Sequence, residues 1–476
     1  MKEMSNTRAI LWFKNDLRLL DNESLTKAIS GNEEILPIYI VDPRHFEKIS
    51  YPSGSDDPVI FAKAGLNRFQ FLCQSVMDLK SNLQDKGADL LIKTGKPEEI
   101  IPALIRENKI DSVYAEEEYA PEELHLIDNV RNAIPKDVKL HLTWGKTLYH
   151  KEDIPYTIDK IPMTSKAFRV HTSKAASVRA LFKVPEVIPV INLKDWGELP
   201  QARELPIDED KKLSPYVAGG ETNALKRLDY YSTESELLTS YKWTRNRSLG
   251  MDYSSKLSPY LAVGAISPRT IYFKVKEYET TIKKNISTWW LVFEIVWRDF
   301  FTFKGMRMGS AIFKTEGYKN KDPKFENNLA DYKRWCTGTT GIPFIDAHMR
   351  QLNATGYMSN RGRVNCASYF VHDLKIDWTW GAAYFESKLI DYDVPANWMN
   401  WHMQAYEIWY TNPINQSIKY KLQDYIRKWV PELAHIDNEV IYIPWKMESP
   451  PQEYPAPIAV YSKWSRAETK ILKAIA

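Results

Sequence analysis

The sequence predicts an α/β N-terminal domain, built on a parallel Rossmann-like sheet, joined by a long linker to an all-helical domain. Three observations predict it. Residues 1–150 alternate short apolar runs with amphipathic stretches of helical period, the pattern of strands covered by crossover helices. Residues 151–215 carry Pro155, Pro162, Pro185, Pro189, Pro200, Pro206 and Pro215 with little periodicity, which reads as a surface connector. Residues 216–476 keep a 3.6-residue period, punctuated by Gly and Pro, with no alternating strand pattern.

Taken in order, AILWF (9–13) and ILPIYIV (35–41) read as buried strands. Residues 60–87 read as one amphipathic helix ending at Gly87. DLLIKTG (89–95) is a strand, followed by a helix that starts at Pro97, where a proline suits the first turn. SVYAEEEY (112–119) is a strand, a helix follows Pro121, and VKLHLTW (138–144) closes the sheet. No GxGxxG occurs, so the usual dinucleotide fingerprint is absent. Within the linker a short helix is expected at 173–182.

Composition narrows the function classes. The 64 basic and 61 acidic residues nearly cancel, at +3, so a nucleic-acid surface has to be a local patch. No apolar run approaches the roughly 18 residues of a membrane span, and MKEMSNTR is not a secretory signal. Cys73, Cys336 and Cys366 are too scattered for a disulfide framework, which implies a reducing cytoplasm. The nine histidines show no HExxH spacing, so no metal is expected. Sixteen tryptophans, mostly after residue 240, suit a packed helical core, an aromatic-lined site or an electron path.

Four stretches could carry chemistry. In LIDYDVPANWMNW (389–401), Asp391 and Asp393 precede Asn397 and Trp401, which share a helix face at a spacing of four. Carboxylates, an amide and an indole suit a polar aromatic ligand; a loop leading into a core helix is the plain alternative. In DYSSKLSPYLAVGAISPR (252–269), Ser254, Ser255 and Ser258 crowd a helix start, with Tyr241 and Arg245 upstream; this is an anion site or an ordinary cap. In STWWLVFEIVWRDFFTF (287–303), Glu294, Trp297 and Arg298 share one face, as a pocket wall or a single intrahelical ion pair. Finally, Asn360, Arg361 and Arg363 lie beside Gly356 and Gly362, as phosphate contacts or a solvated turn.

Together and in this order, the segments resemble the photolyase/cryptochrome flavoprotein family over nearly the whole chain. ILWFKNDLRLLDNESL (10–25), WGKTLYH (144–150), GGETNALKRL (219–228), YKWTRNRSLGMDYSSKLSPYLAVGAISPR (241–269), FEIVWRDFF (293–301), TGIPFIDAHMRQLNATGYMSNRGR (340–363) and DYDVPANWMNW (391–401) carry the resemblance. The wording is most similar to the DASH cryptochromes. The resemblance implies an α/β domain (1–150), a linker (151–215) and a helical FAD- and DNA-binding domain (216–476).

It further implies that Tyr241, Ser254, Ser255, Leu257, Ser258 and Arg298 bind the diphosphate side of FAD. Asn360, Arg363, Asp391, Asp393 and Asn397 would line the flavin and ribityl region. Glu294 and Trp297 would contact a pyrimidine dimer, and Arg245 and Arg361 the DNA. Trp401 and Trp378 would pass electrons. The implied activity is that of a deoxyribodipyrimidine photolyase, a carbon–carbon lyase driven by light, on damaged and preferentially single-stranded DNA. A blue-light photoreceptor is the alternative. A folate antenna is implied on the α/β domain, and the expected state is a cytoplasmic monomer. The sequence departs from the family pattern at four positions: Phe325 for the outer tryptophan, Met403 for an aromatic beside the dimer, Leu20 for a histidine, and Ala120 for a folate-anchoring carboxylate.

Overall fold

The structure is a computed structural model and describes residues 7–475, apart from 208–209, 211–212, 322–323 and 408–409. In chain order the N-terminal half runs β1 (Arg8–Phe13), α1 (Glu23–Gly31), β2 (Glu34–Val41), β3 (Lys48–Tyr51), β4 (Val59–Ala62), α2 (Leu66–Gln84), β5 (Leu91–Thr94), α3 (Pro97–Asn108), β6 (Ser112–Glu116), α4 (Pro121–Ala133) and β7 (Lys139–Thr143). Five strands lie parallel in the order β5-β2-β1-β6-β7, with Ile10 opposite both Leu36 and Val113. Their near-continuous apolar runs are what a sheet covered on both faces requires.

Two local expectations need correction. The stretch from 60 opens as β4, which pairs antiparallel with β3; the helix starts only at Leu66, after Gly65. The linker helix lies at α5 (Ser165–Ala175), not at 173–182, because Thr164 caps it by accepting from Ala167 N. Beyond it Pro185 and Pro189 cannot donate backbone hydrogen bonds, and the chain runs extended along the sheet. Val190 bridges to Ile35, and Trp196 O accepts from Ile92 N at 2.8 Å, which covers an otherwise open sheet edge.

The helical half comprises α6 (Glu221–Asp229), α7 (Tyr241–Thr244), α8 (Ser258–Ala262), α9 (Pro268–Thr281), α10 (Ile286–Met308), α11 (Leu329–Thr337), α12 (Pro343–Thr355), α13 (Asn360–Ser368), α14 (Trp378–Lys388), α15 (Val394–Tyr406), α16 (Pro413–Tyr420), α17 (Gln423–Trp429) and α18 (Ser465–Ile475). Among the described residues no helix is long and apolar enough to cross a membrane.

Three buried acids sew the halves together. Glu221 accepts from Leu19 N and Leu20 N at 2.8 and 2.9 Å, so the backbone at Leu20 is part of the clamp. Asp299 accepts from Leu148 N and Tyr149 N at 2.9 and 3.0 Å. Asp21 takes two hydrogen bonds from Arg269, at 2.9 and 2.7 Å. Burial pushes the Glu221 and Asp299 carboxyls up to about 7, against the lowering effect of those backbone donors.

Candidate functional site

The loop before α8 is turned inside out by one arginine. Arg227, on α6, donates to the carbonyls of Met251, Ser254 and Ser255 at 3.0, 3.1 and 2.9 Å. Carbonyl and following N–H point opposite ways in a trans peptide, so the amides of Ser255 and Lys256 face away from Arg227. Lys256 is buried at a left-handed φ of 60° and donates to Ser254 Oγ at 2.7 Å. Burial pushes its ammonium down to about 6, so it gains most when an anion is beside it. The loop thus presents backbone donors, serines and an amine that an anion would hold charged; no serine side chain caps α8.

Asp391 lies against this loop. It accepts from Ser258 Oγ at 2.7 Å and from Arg363 Nη2 at 2.7 and 2.9 Å. Arg363 in turn donates to Met358 O at 2.9 Å. Asp393 faces elsewhere. It caps α15, accepting from Ala396 N at 3.1 Å, and takes the Tyr119 hydroxyl at 2.7 Å and Arg298 Nη2 at 3.3 Å. Arg298 also donates to Lys146 O. Arg298 and Asp393 are therefore together, but in the seam with the sheet, apart from the serine loop. Asn360 is exposed at the start of α13, while Leu257 is buried.

One turn into α15, Asn397 donates through Nδ2 to Ala382 O at 3.0 Å. A carbonyl only accepts, so the amide's orientation is fixed and its Oδ1 is the atom presented to a guest. Trp401, on the same face, packs on Gly381: a Cβ there would sit 2.3 Å from its ring. Gly381 is one turn from Trp378, whose indole N–H donates to Thr315 O at 3.0 Å. Both tryptophans are buried. The segment bearing Phe325 also lies at the start of α14, through Glu326 N to Lys375 O and Asp377 N to Asn327 Oδ1, 2.7 and 2.8 Å.

On α10 the half-exposed face carries Glu294, Trp297 and Arg298. Glu294 Oε1 takes the indole N–H of Trp290 at 2.9 Å and pairs with Arg245 at 2.6 Å. Burial raises its carboxyl, against the lowering effects of Arg245 and of that indole. Arg245 also lies over the Trp290 ring, 5.2 Å from its centroid. Arg361 donates to Asn246 Oδ1 at 3.2 Å. Tyr241 is buried, which raises its phenol. The intrahelical Glu294–Arg298 pair, the alternative to a pocket wall, is not made: Glu294 pairs with Arg245 and Arg298 with Asp393.

A second site opens at the carboxyl ends of the strands. A cavity of about 190 Å³ is lined by Trp12, Lys14, His45, Glu118, Glu123 and Tyr392, among others, and reaches Ala120 and Asp393. Chain order reverses between β1 and β6, the crevice where open parallel sheets hold ligands. Burial and the Glu118 charge push the Glu123 carboxyl up to about 7.

Residues 9–189 match the model of the DNA photolyase family, and residues 290–474 that of the FAD binding domain of DNA photolyase. The chain is 39% identical to Cryptochrome DASH of Gloeobacter violaceus, across 93% of this chain and 89% of that relative. The crystal structure of a Synechocystis cryptochrome superposes with a TM-score of 0.89 at 39% identity, covering 99% of this chain and 100% of that one. An archaeal photolyase from Sulfolobus tokodaii, solved with two FAD molecules, gives 0.74 at 25% identity, covering 98% and 100%.

The chain belongs to the photolyase/cryptochrome family. Its helical half is that family's FAD-binding domain. The side chains fit such a cofactor on physical grounds. Lys256 is buried beside Ser254 Oγ at the foot of α8, and a buried ammonium is favoured by an anion such as a diphosphate. Sequence reading missed three contributors. Trp290 stands four residues before Glu294, a helix spacing that could have exposed it; Lys256 lies inside the serine motif. Arg227 is separated by more than a full helix from the carbonyls it holds, and nothing local signals it. Among the described residues no cluster of His, Cys, Asp or Glu could hold a metal ion.

Proposed function

We propose that this protein repairs cyclobutane pyrimidine dimers in DNA, preferentially single-stranded, using light. The observation that carries the reading is the Arg245–Glu294–Trp290 group on the open face of α10, with Trp297 one turn along. Both donors land on Glu294 Oε1, which leaves Oε2 for a substrate. Burial favours protonation of Glu294, and in its protonated form the carboxyl donates to a carbonyl oxygen, which pyrimidine dimers present. Trp297 offers a ring face for the flipped bases, and Arg245 and Arg361 supply charge for phosphates.

FAD held there in its reduced form would supply light-driven one-electron chemistry to the dimer. The amides and serines of 254–258, with Lys256, would hold its diphosphate. Ser258, Asp391 and Arg363 form a fixed polar wall for its ribityl and pyrimidine edge. Asn397 Oδ1, held outward by Ala382 O, would accept the hydrogen bond of the reduced ring's N5–H. Tyr241 and Asn360 stand as further contacts, whereas Arg298 and Asp393 would act by fixing the seam. The cavity at the sheet edge would hold a light-harvesting antenna. Its carboxylates suit the ring donors of a folate, and Lys63 and Arg68 in its wall suit a folate's acidic tail.

The test is light-dependent restoration of thymine-dimer oligonucleotides, single- and double-stranded, by the reduced protein. Glu294→Gln should lower repair by ~10²-fold, in the range of a lost proton donor, while flavin content stays unchanged. Loss of flavin in that variant would contradict the placement of Glu294. Met403, half-buried where an aromatic would meet the dimer, gives the photoreceptor reading its foothold. No repair of either substrate, with flavin still photoreduced, would select that reading.

A further inference from the structure

In the family pattern the path from Trp401 and Trp378 continues to an outer tryptophan, whose position here is Phe325 on a segment that meets the start of α14, and a benzene ring is too hard to oxidise to serve as a relay. The packing offers another outlet. We propose that Tyr318, with Glu407 as its proton acceptor, is the terminal electron donor for light-driven flavin reduction in this protein; this rests on the flavin reading above.

The geometry runs through one histidine. His402 lies 5.8 Å from Trp378, ring centre to ring centre, and stacks on Tyr318 at 3.9 Å and 21°. Gly317 makes that stack possible, since a Cβ there would sit 2.2 Å from the imidazole. Both His402 nitrogens are buried without a hydrogen bond, Nδ1 lying 3.6 Å from Glu407 Oε1, and burial outweighs that charge and pushes the ring down to about 4, so His402 is a neutral spacer. Tyr318 is half-buried and reaches the surface. Its hydroxyl donates to Glu407 Oε1 and accepts from Lys304 Nζ at 2.7 Å. Burial raises the Glu407 carboxyl, but the Tyr318 hydrogen bond and the charges of Lys304 and Lys319 outweigh it and hold the group below its ordinary value. It is therefore ionised and free to take a proton.

That feature separates Tyr318 from its competitors. Tyr406 donates to Thr315 O at 2.6 Å, the same carbonyl that Trp378 uses, and a carbonyl does not hold a proton. Trp335 lies 6.0 Å from Trp401 but donates to Cys366 O. Its tyrosine neighbour, Tyr384, donates to Cys336 O and Asn353 Oδ1, again with no base. Trp398, 6.0 Å from Trp378, donates to Glu386, but both are buried and neither reaches the surface as Tyr318 does.

The step balances. Trp401 gives one electron to the photo-excited flavin, the oxidant, and Trp378 refills Trp401. Tyr318 then gives an electron to the Trp378 cation while its phenolic proton passes to Glu407. Trp378 ends neutral, Tyr318 a neutral phenoxyl radical and Glu407 a carboxylic acid. A thiol in solution restores Tyr318 by giving up a hydrogen atom, leaving as a thiyl radical, and Glu407 releases its proton to water.

The experiment is flash illumination of the purified, flavin-loaded full-length protein, followed by transient absorption and electron paramagnetic resonance, with ring-deuterated tyrosine as the label. Wild type should give a tyrosyl signal narrowed by the label, forming more slowly in D2O. Tyr318→Phe should abolish that signal with flavin content intact. Glu407→Gln should slow its formation by ~10²-fold, as for loss of a general base. Tyr406→Phe should keep it. A tyrosyl signal that survives Tyr318→Phe, or is lost in Tyr406→Phe instead, overturns the assignment. A colourless purified protein would overturn the flavin reading itself, a distinct result read from the absorption spectrum before any flash.

Discussion

Asp391 and Asp393 are two residues apart and serve opposite sides of the molecule. Asp391 turns into the helical half, where Ser258 and Arg363 hold it. Asp393 turns toward the sheet, where Tyr119 and Arg298 meet it. In an extended strand they would share a face. They diverge because the chain turns at Ile390–Asp391 and Asp393 then becomes the cap of α15. One short motif thus serves two places, a polar wall in the helical half and the seam beside the sheet-edge cavity.

Substitutions can pull the two sides apart. The largest effect is expected for Asp391→Ala, which leaves the Arg363 guanidinium without its carboxylate. Breaking a buried pair from one side costs about 3 kcal/mol; urea unfolding should show that loss, and purification should yield protein nearly free of flavin. Asp393→Asn keeps a good helix cap but removes the charge that faces Arg298. It should cost about 2 kcal/mol, the scale of a hydrogen bond to a charged group, and leave flavin bound. If both variants lose flavin equally, the two aspartates share one site after all.

Gly381→Ala probes the first side without touching a polar group. Its Cβ would meet Trp401 at 2.3 Å, so the indole must shift. Overpacking of this kind costs about 1–2 kcal/mol, and flavin photoreduction should slow because Trp401 leaves its place. Unchanged photoreduction would show that Trp401 is not the first donor.

The contrast also explains what the sequence could show. Helix spacing alone placed Asn397 with Trp401, and both lie on one buried face of α15. Strand runs were legible because parallel strands buried on both faces are continuously apolar. The direction of Asp393 was not legible, since its partners Tyr119 and Arg298 come from segments far away in the chain. Arg227 escaped for the same reason. The linker helix was misplaced because its cap at Thr164 was a stronger local signal than the apolar spacing after Ser173. Phe325 marked the gap in the electron path, while the Tyr318–His402 stack depends on Gly317, which no spacing rule singles out.

The seam carries an effect that appears only as pH changes. Burial and the neighbouring Glu118 hold the Glu123 carboxyl at about 7, above its unfolded value. Between about pH 4.5 and 7 the folded chain therefore binds a proton that the unfolded chain has released. Stability from this group is full below that window and falls as pH rises through it. Glu123→Gln removes the dependence, so its advantage over wild type should be nearly absent near pH 4.5 and grow to at most about 3 kcal/mol by pH 7.5. Chemical unfolding of the flavin-loaded protein across that range measures it. A cationic or hydrogen-bond-donating guest in the cavity would stabilise the ionised carboxylate and shrink the difference. The same titration repeated with a folate added therefore reports whether the second side of the motif faces a ligand.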